Sequence, residues 1–276
     1  MVRQSESNKA ETARKPPLTD KQVATMLNRA DIILTHGGDL PARVIRLVTH
    51  SYWNHVAFVA LLSDAASESE QGYQQTFVLE AEADRGVDIH PVDKYLDNKR
   101  QDIAILRFPD LALGGEDCAV NFLRRVRGFA LEEIDAVYGY STILRILAKA
   151  VGPLGWVLRP IIRAVRVATS FNRKKAINDF ICSGVVQYAY YRACFGANPA
   201  NGEFWRPFFQ EIKNRRNLIV NPEIRDTIDF EATPDSVKEQ LKLTIPADFS
   251  RAVAAGLLRC VAQRVKGDWQ EGLTKV

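Results

Sequence analysis

Apolar and polar positions alternate along the first half of the chain in short blocks. Four runs have the period or apolar density of strands, at about 31–35, 55–62, 76–81 and 102–108. Between the first two, PARVIRLVT at 41–49 has a helical period, with a proline at its start. In the third run Phe77, Leu79 and Ala81 fall on one side, and Val78, Glu80 and Glu82 on the other. Residues 116–129 read as an amphipathic helix, and polar residues 63–75 as a long loop. In FICSGVVQYAYYRACFG an extended apolar start gives way to a helical face at Val185, Val186, Ala189, Tyr190 and Ala193, stopped by Gly196. Further helices are expected from Pro234 and over 249–265. Strands grouped first and helices later predict an α+β domain rather than a βαβ array.

Residues 141–176 interrupt this order. No Asp or Glu occurs from Ala136 to Asn178, while eight Lys and Arg side chains do. Ile143, Leu144, Leu147 and Val151 share one helical face, and Val157, Ile161, Val165 and Ala168 a second, separated by VGPLG. Arg159, Arg163 and Arg166 form a stripe, with Arg145 and Lys149 on the preceding half. The pattern predicts an inserted helical hairpin with a basic edge. That edge suits an anionic membrane surface, an anionic substrate under a lid, or simple coverage of the core.

At 276 residues and 46% hydrophobic, the chain can bury one large core, expected over 29–245 with residues 246–276 as a C-terminal helix and tail. Residues 1–28 are polar and charged and read as a flexible leader without a secretory h-region. No apolar run reaches the roughly 18 residues of a spanning helix. Four cysteines (118, 182, 194 and 260) show neither CxxC nor Cys/His metal spacing, which suits reduced thiols in the cytoplasm. The net charge of +4 raises nucleic-acid binding as a class. The basic residues are interleaved with aliphatics rather than stacking aromatics, so no nucleic-acid partner is expected. Phosphate-binding glycine loops are absent. Nothing in the sequence indicates an oligomeric state.

Candidate chemistry centres on Cys182. A cysteine at a helix start meets free backbone N–H groups and the positive end of the helix dipole, which favour thiolate and can receive an oxyanion. The bland alternative is a small buried residue. Of the four histidines (36, 50, 55 and 90), His55 is best placed to act as a base, because it opens a rigid apolar strand. Glu80, nearer the apolar centre of its strand than Glu82, is the favoured acid to orient the imidazole.

In order, DIILTHGGDLPARVIRLVTHSYWNHVAFV, VLEAEADRGVDIHPVDKYL, VYGYSTIL and FICSGVVQYAY resemble the permuted papain-like cysteine amidases of the YaeF/YiiX type, relatives of the NlpC-type peptidases. The resemblance covers about 31–241 and includes a late TPDSV. It implies a small antiparallel sheet packed on helices, with histidine and glutamate preceding the cysteine. It assigns His55, Glu80 and Cys182 to a triad, with Tyr138 and Ser183 in support of the oxyanion. Gly139 and Gly184 stand where that family carries acids.

The expected activity is hydrolysis of an amide or ester through a thioester, with no metal or organic cofactor. The substrate classes are a peptide, a cell-wall-type peptide or an acyl lipid. Acyl transfer at a membrane, a non-enzymatic membrane-binding or scaffold role, and a redox thiol are the other classes left open.

Overall fold

The computed structural model describes residues 18–38, 40–49, 51–62, 76–82, 85–108, 116–138, 179–195, 241, 244–254, 256 and 258–270. The described elements are, in order, α1 (Asp20–Met26), β1 (Ile32–His36), α2 (Leu40–Thr49), β2 (His55–Leu61), β3 (Phe77–Glu82), β4 (Gly86–Pro91), α3 (Asp93–Leu96) and β5 (Asp102–Arg107). There follow α4 (Glu116–Leu131), β6 (Val137–Tyr138), β7 (Asp179–Phe180), α5 (Cys182–Phe195), α6 (Pro246–Ala254), β8 (Arg259–Val265) and β9 (Asp268–Gln270). Mixed helix and strand content around one antiparallel sheet agrees with the α+β expectation. Among the described residues no helix is long and apolar enough to cross a membrane.

Seven strands form the sheet in the order β4-β3-β2-β1-β5-β8-β9, every pair antiparallel. Both its faces are covered, which explains the near-continuous burial of β1, β2 and β5. Ile32, Leu34, Val56, Phe58, Leu79 and Leu106 face α4, α5 and α6. Ile33, Ala57, Val59, Val78 and Ile105 face α1 and α3. Helix α5 is the centre of the first layer. Residues Cys182–Tyr191 are all buried, and the Tyr190 hydroxyl satisfies itself on the Ala30 carbonyl at 2.7 Å.

Three expectations need correction. The 1–28 leader contains α1 at its end. Thr19 and Gln22 close a capping box there, and Val23, Ala24 and Leu27 bury against the sheet. The helix expected over 249–265 stops at Ala254, beyond which Gly256 takes φ +74° and the chain enters β8. Strand β8 then pairs with β5, so the segment expected as a terminal helix and tail completes the main sheet. The run after Glu82 returns as β4 beside β3, a strand that the pattern had not suggested.

The two-residue strands β6 and β7 pair in parallel, bringing Tyr138 opposite Phe180. This holds the entry to α5 beside the end of α4. The hairpin expected at 141–176, with Arg145, Lys149, Arg159, Arg163 and Arg166, lies outside the described residues. So do the 63–75 loop and the helix expected from Pro234.

Candidate active site

Strand register brings the acid and the imidazole together. Ala57 stands opposite Glu80 across β2 and β3, so His55, two residues earlier on the same side, is the diagonal neighbour of Glu80. His55 Nε2 lies 2.6 Å from Glu80 Oε2. Glu80 is 1% exposed and surrounded by donors. The Tyr95 hydroxyl donates to its Oε2, and Lys94 Nζ lies 2.7 Å from its Oε1. Lys94 also donates to Glu82. A carboxylate this buried persists only when its lone pairs are filled, and here both oxygens are held.

On the other layer Cys182 is the first residue of α5 and is 5% exposed. Its thiol hydrogen-bonds to the His55 side chain and to the backbone N–H groups of Val56 and Ser183. Glu80 takes Nε2, so Nδ1 is the ring nitrogen left for the sulfur. His55 is 19% exposed. It opens β2 at the end of the sheet, where it meets a strand neighbour on one side and a helix start on the other.

The electrostatics point the same way at each group. Burial opposes a charged His55, but the Cys182 sulfur and the Glu80 carboxylate outweigh it and raise its pKa to about 10. Burial opposes the Cys182 thiolate, yet the His55 charge and the hydrogen bonds to sulfur bring the thiol below its usual value. Burial also opposes Glu80 ionisation. His55 and Lys94 overcome it and hold the carboxyl at about 2. Tyr95 is pushed well up by burial and by Glu80, so it stays a hydroxyl and a donor. Such a set supports a thiolate–imidazolium pair anchored on a carboxylate.

The remaining candidates separate clearly. Glu82 is 25% exposed and lies 3.1 Å from His90 Nε2. His36 stacks on Tyr52 at 4.2 Å and meets its carbonyl, and His50 lies outside the described residues. Ser183 donates its hydroxyl to the Thr244 carbonyl in a buried setting. The hydroxyl thus fastens the start of α5, and the Ser183 backbone N–H serves the sulfur. The Tyr138 backbone pairs beside the α5 entry, while its hydroxyl lies outside the described set. Cys260 is pushed up to about 12 by burial. The Cys118 and Cys194 side chains lie outside the described set.

Sequence reading missed Lys94 and Tyr95. They sit on a single helical turn, α3, too short to show a period. Arg264 holds that turn in place: 0% exposed, it donates to the carbonyls of Tyr95, Leu96 and Asn98. Ligand atoms of Glu80, Glu82 and His90 also lie within 4.8 Å of one another. Lys94 already pairs with both acids, so a metal ion there would have to displace its ammonium.

Neither a family model nor a curated protein matches this chain.

Proposed function

We propose that the protein is a thiol hydrolase of amide or ester bonds, built as a permuted papain-like, NlpC-related domain. The observation that carries this reading is the contact of Cys182, His55 and Glu80, drawn from a helix start and two adjacent strands. It is supported by their order in the chain and by an antiparallel sheet backed by the cysteine helix, as the resemblance to the YaeF/YiiX-type amidases implies.

The chemistry follows from the contacts. The Cys182 thiolate attacks the acyl carbonyl, and the oxygen gains charge near the α5 N-terminus, where the Cys182 N–H is the expected donor. His55 gives its Nδ1 proton to the leaving amine or alkoxide as the tetrahedral adduct collapses to a thioester. His55, now neutral, takes a proton from water, which attacks the thioester. The second collapse expels the sulfur, which leaves as thiolate beside the re-formed imidazolium. Glu80 holds the imidazole in the tautomer that presents Nδ1 to sulfur, and favours its charged form throughout.

An acyl adduct tests the reading. Incubation with p-nitrophenyl acetate should leave a hydroxylamine-labile acetyl group on Cys182, seen by peptide mass spectrometry, with turnover on further incubation. Cys182→Ala should abolish both. Acetylation spread evenly over other nucleophiles, or undiminished turnover in Cys182→Ala, would remove the proposal.

A further inference from the structure

Helix α3 is four residues long, and Val92 at its start gives it no side-chain cap. One helical turn is too short to hold its shape alone, and its last carbonyls have no partner inside the helix. Arg264 of β8 supplies the partners. Its Nη2 donates to the carbonyls of Tyr95 and Asn98, each at 2.7 Å, and its Nη1 to that of Leu96 at 2.6 Å. Its Nε meets the Gln101 carbonyl at 3.4 Å.

Two other elements brace this guanidinium. The ring of Trp269 on β9 is centred 5.0 Å from its central carbon. Asp20 of α1 accepts from Nη1 at 3.3 Å and from the Trp269 Nε1–H at 2.6 Å. Lys99 pairs with the same carboxylate. A buried cation is tolerated when its donors are filled, and here every nitrogen has an acceptor. So costly an arrangement for one helical turn points to what that turn carries. Its side chains Lys94 and Tyr95 both end on the Glu80 carboxylate.

We propose that Arg264 is a positioning residue for the orienting acid: by holding the carbonyl end of α3 it keeps the Lys94 ammonium and the Tyr95 hydroxyl on Glu80. This rests on the thiol-hydrolase reading only in treating Glu80 as the acid that orients His55. Around the Glu80 carboxylate stand His55 on β2, Glu82 on its own strand, His90 on β4, and Lys94 and Tyr95 on α3. The first three are set by strand register and stay when the clasp is lost. Lys94 and Tyr95 do not, because a drift of about 1 Å in a loosened turn takes a donor out of hydrogen-bond range. Glu80 is then a buried carboxyl without its α3 donors, and its pKa rises from about 2 toward the ordinary 4.5. The planar fork matters as well as the charge, since an ammonium is a single point and the fork spans the carbonyls of three residues.

The test is the titration of the Glu80 side-chain carboxyl in the full chain, followed by carboxyl-carbon NMR. In the parent the signal should stay flat down to about pH 4, because Glu80 is held at about 2. In Arg264→Met it should begin to move within that range, its midpoint raised by about one unit or more. Arg264→Lys, which keeps the charge and loses the fork, should raise it by less, and it carries the test alone if Arg264→Met does not fold. Trp269→Phe keeps a ring under the guanidinium and loses the bond to Asp20, so it should melt lower than the parent with the Glu80 signal still flat. A flat signal in Arg264→Met or in Arg264→Lys would overturn the proposal. So would a rise in Trp269→Phe equal to that in the arginine variants, which would mark general loosening. The rise should persist in Cys182→Ala, where no thiol chemistry exists, so failure of the hydrolase reading and failure of the clasp are read separately.

Discussion

His55 and Glu80 touch at 2.6 Å although neither is the other's cross-strand partner. The diagonal arises because β2 and β3 pair Ala57 with Glu80, which leaves the imidazole at the open end of the sheet. A direct partner would have been drawn into the middle of the strand pair. The diagonal instead lets one ring bridge a buried acid and the first residue of a helix.

Replacing that acid should change the thiol. In Glu80→Gln the imidazolium keeps the Cys182 sulfur but loses its second anionic partner, and His55 should fall from about 10 in the direction of its ordinary 6.5. Turnover of p-nitrophenyl acetate should drop by about 10²-fold or more. The pH at which Cys182 begins to react with iodoacetamide should move upward. A variant with the parent pH profile would remove Glu80 from the orienting role.

The donors behind Glu80 carry a stability consequence. Tyr95→Phe deletes a buried hydrogen bond to a carboxylate and should cost about 1.5–3 kcal/mol in urea unfolding. Lys94→Met should cost less, about 1 kcal/mol, because Lys94 is 37% exposed and water replaces part of its contact. Equal stability of Tyr95→Phe and the parent would show that the hydroxyl is not a real partner.

Asp248 predicts the opposite pH trend from most acids. Burial raises its pKa from the ordinary 3.8 to about 7, against the pull of the Ile245 N–H and Arg251. Between those values the folded chain binds a proton that the unfolded chain releases. This contribution is therefore full below about pH 4 and is lost as pH rises toward 7. Asp248→Asn cannot ionise, so its stability should decline less than the parent's from pH 4 to 7 in urea titrations. Parallel curves would show that Asp248 does not titrate in this window.

What could be read from the sequence had a local signal. His55 opens an apolar strand run, Glu80 interrupts another, and Cys182 precedes a helical face, so each declares its element within a few residues. What could not be read depends on contacts between distant segments. The strand-forming role of Arg259–Val265 was hidden because Arg264 looks like a surface residue on a helix; it is buried because β8 places it over the carbonyl end of α3. Lys94 and Tyr95 become functional candidates only when β3 and β4 fold back to back and lay α3 over Glu80. The choice of Glu80 over Glu82 was legible as a preference, since the more central position on the strand is the buried one. The bond from the Ser183 hydroxyl to the Thr244 carbonyl had no local signal, because the two lie 61 residues apart.

The most direct measurement is the pH dependence of iodoacetamide modification at Cys182, read by peptide mass spectrometry against Cys260 in the same molecules. Burial pushes Cys260 up to about 12, which makes it the internal reference for an unactivated thiol. Cys182 should react rapidly well below the ordinary thiol value of about 8.5 and lose that reactivity in His55→Ala. If Cys182 reacts no faster than Cys260, or if His55→Ala leaves its profile unchanged, the thiolate–imidazolium pair does not exist and the hydrolase reading falls with it.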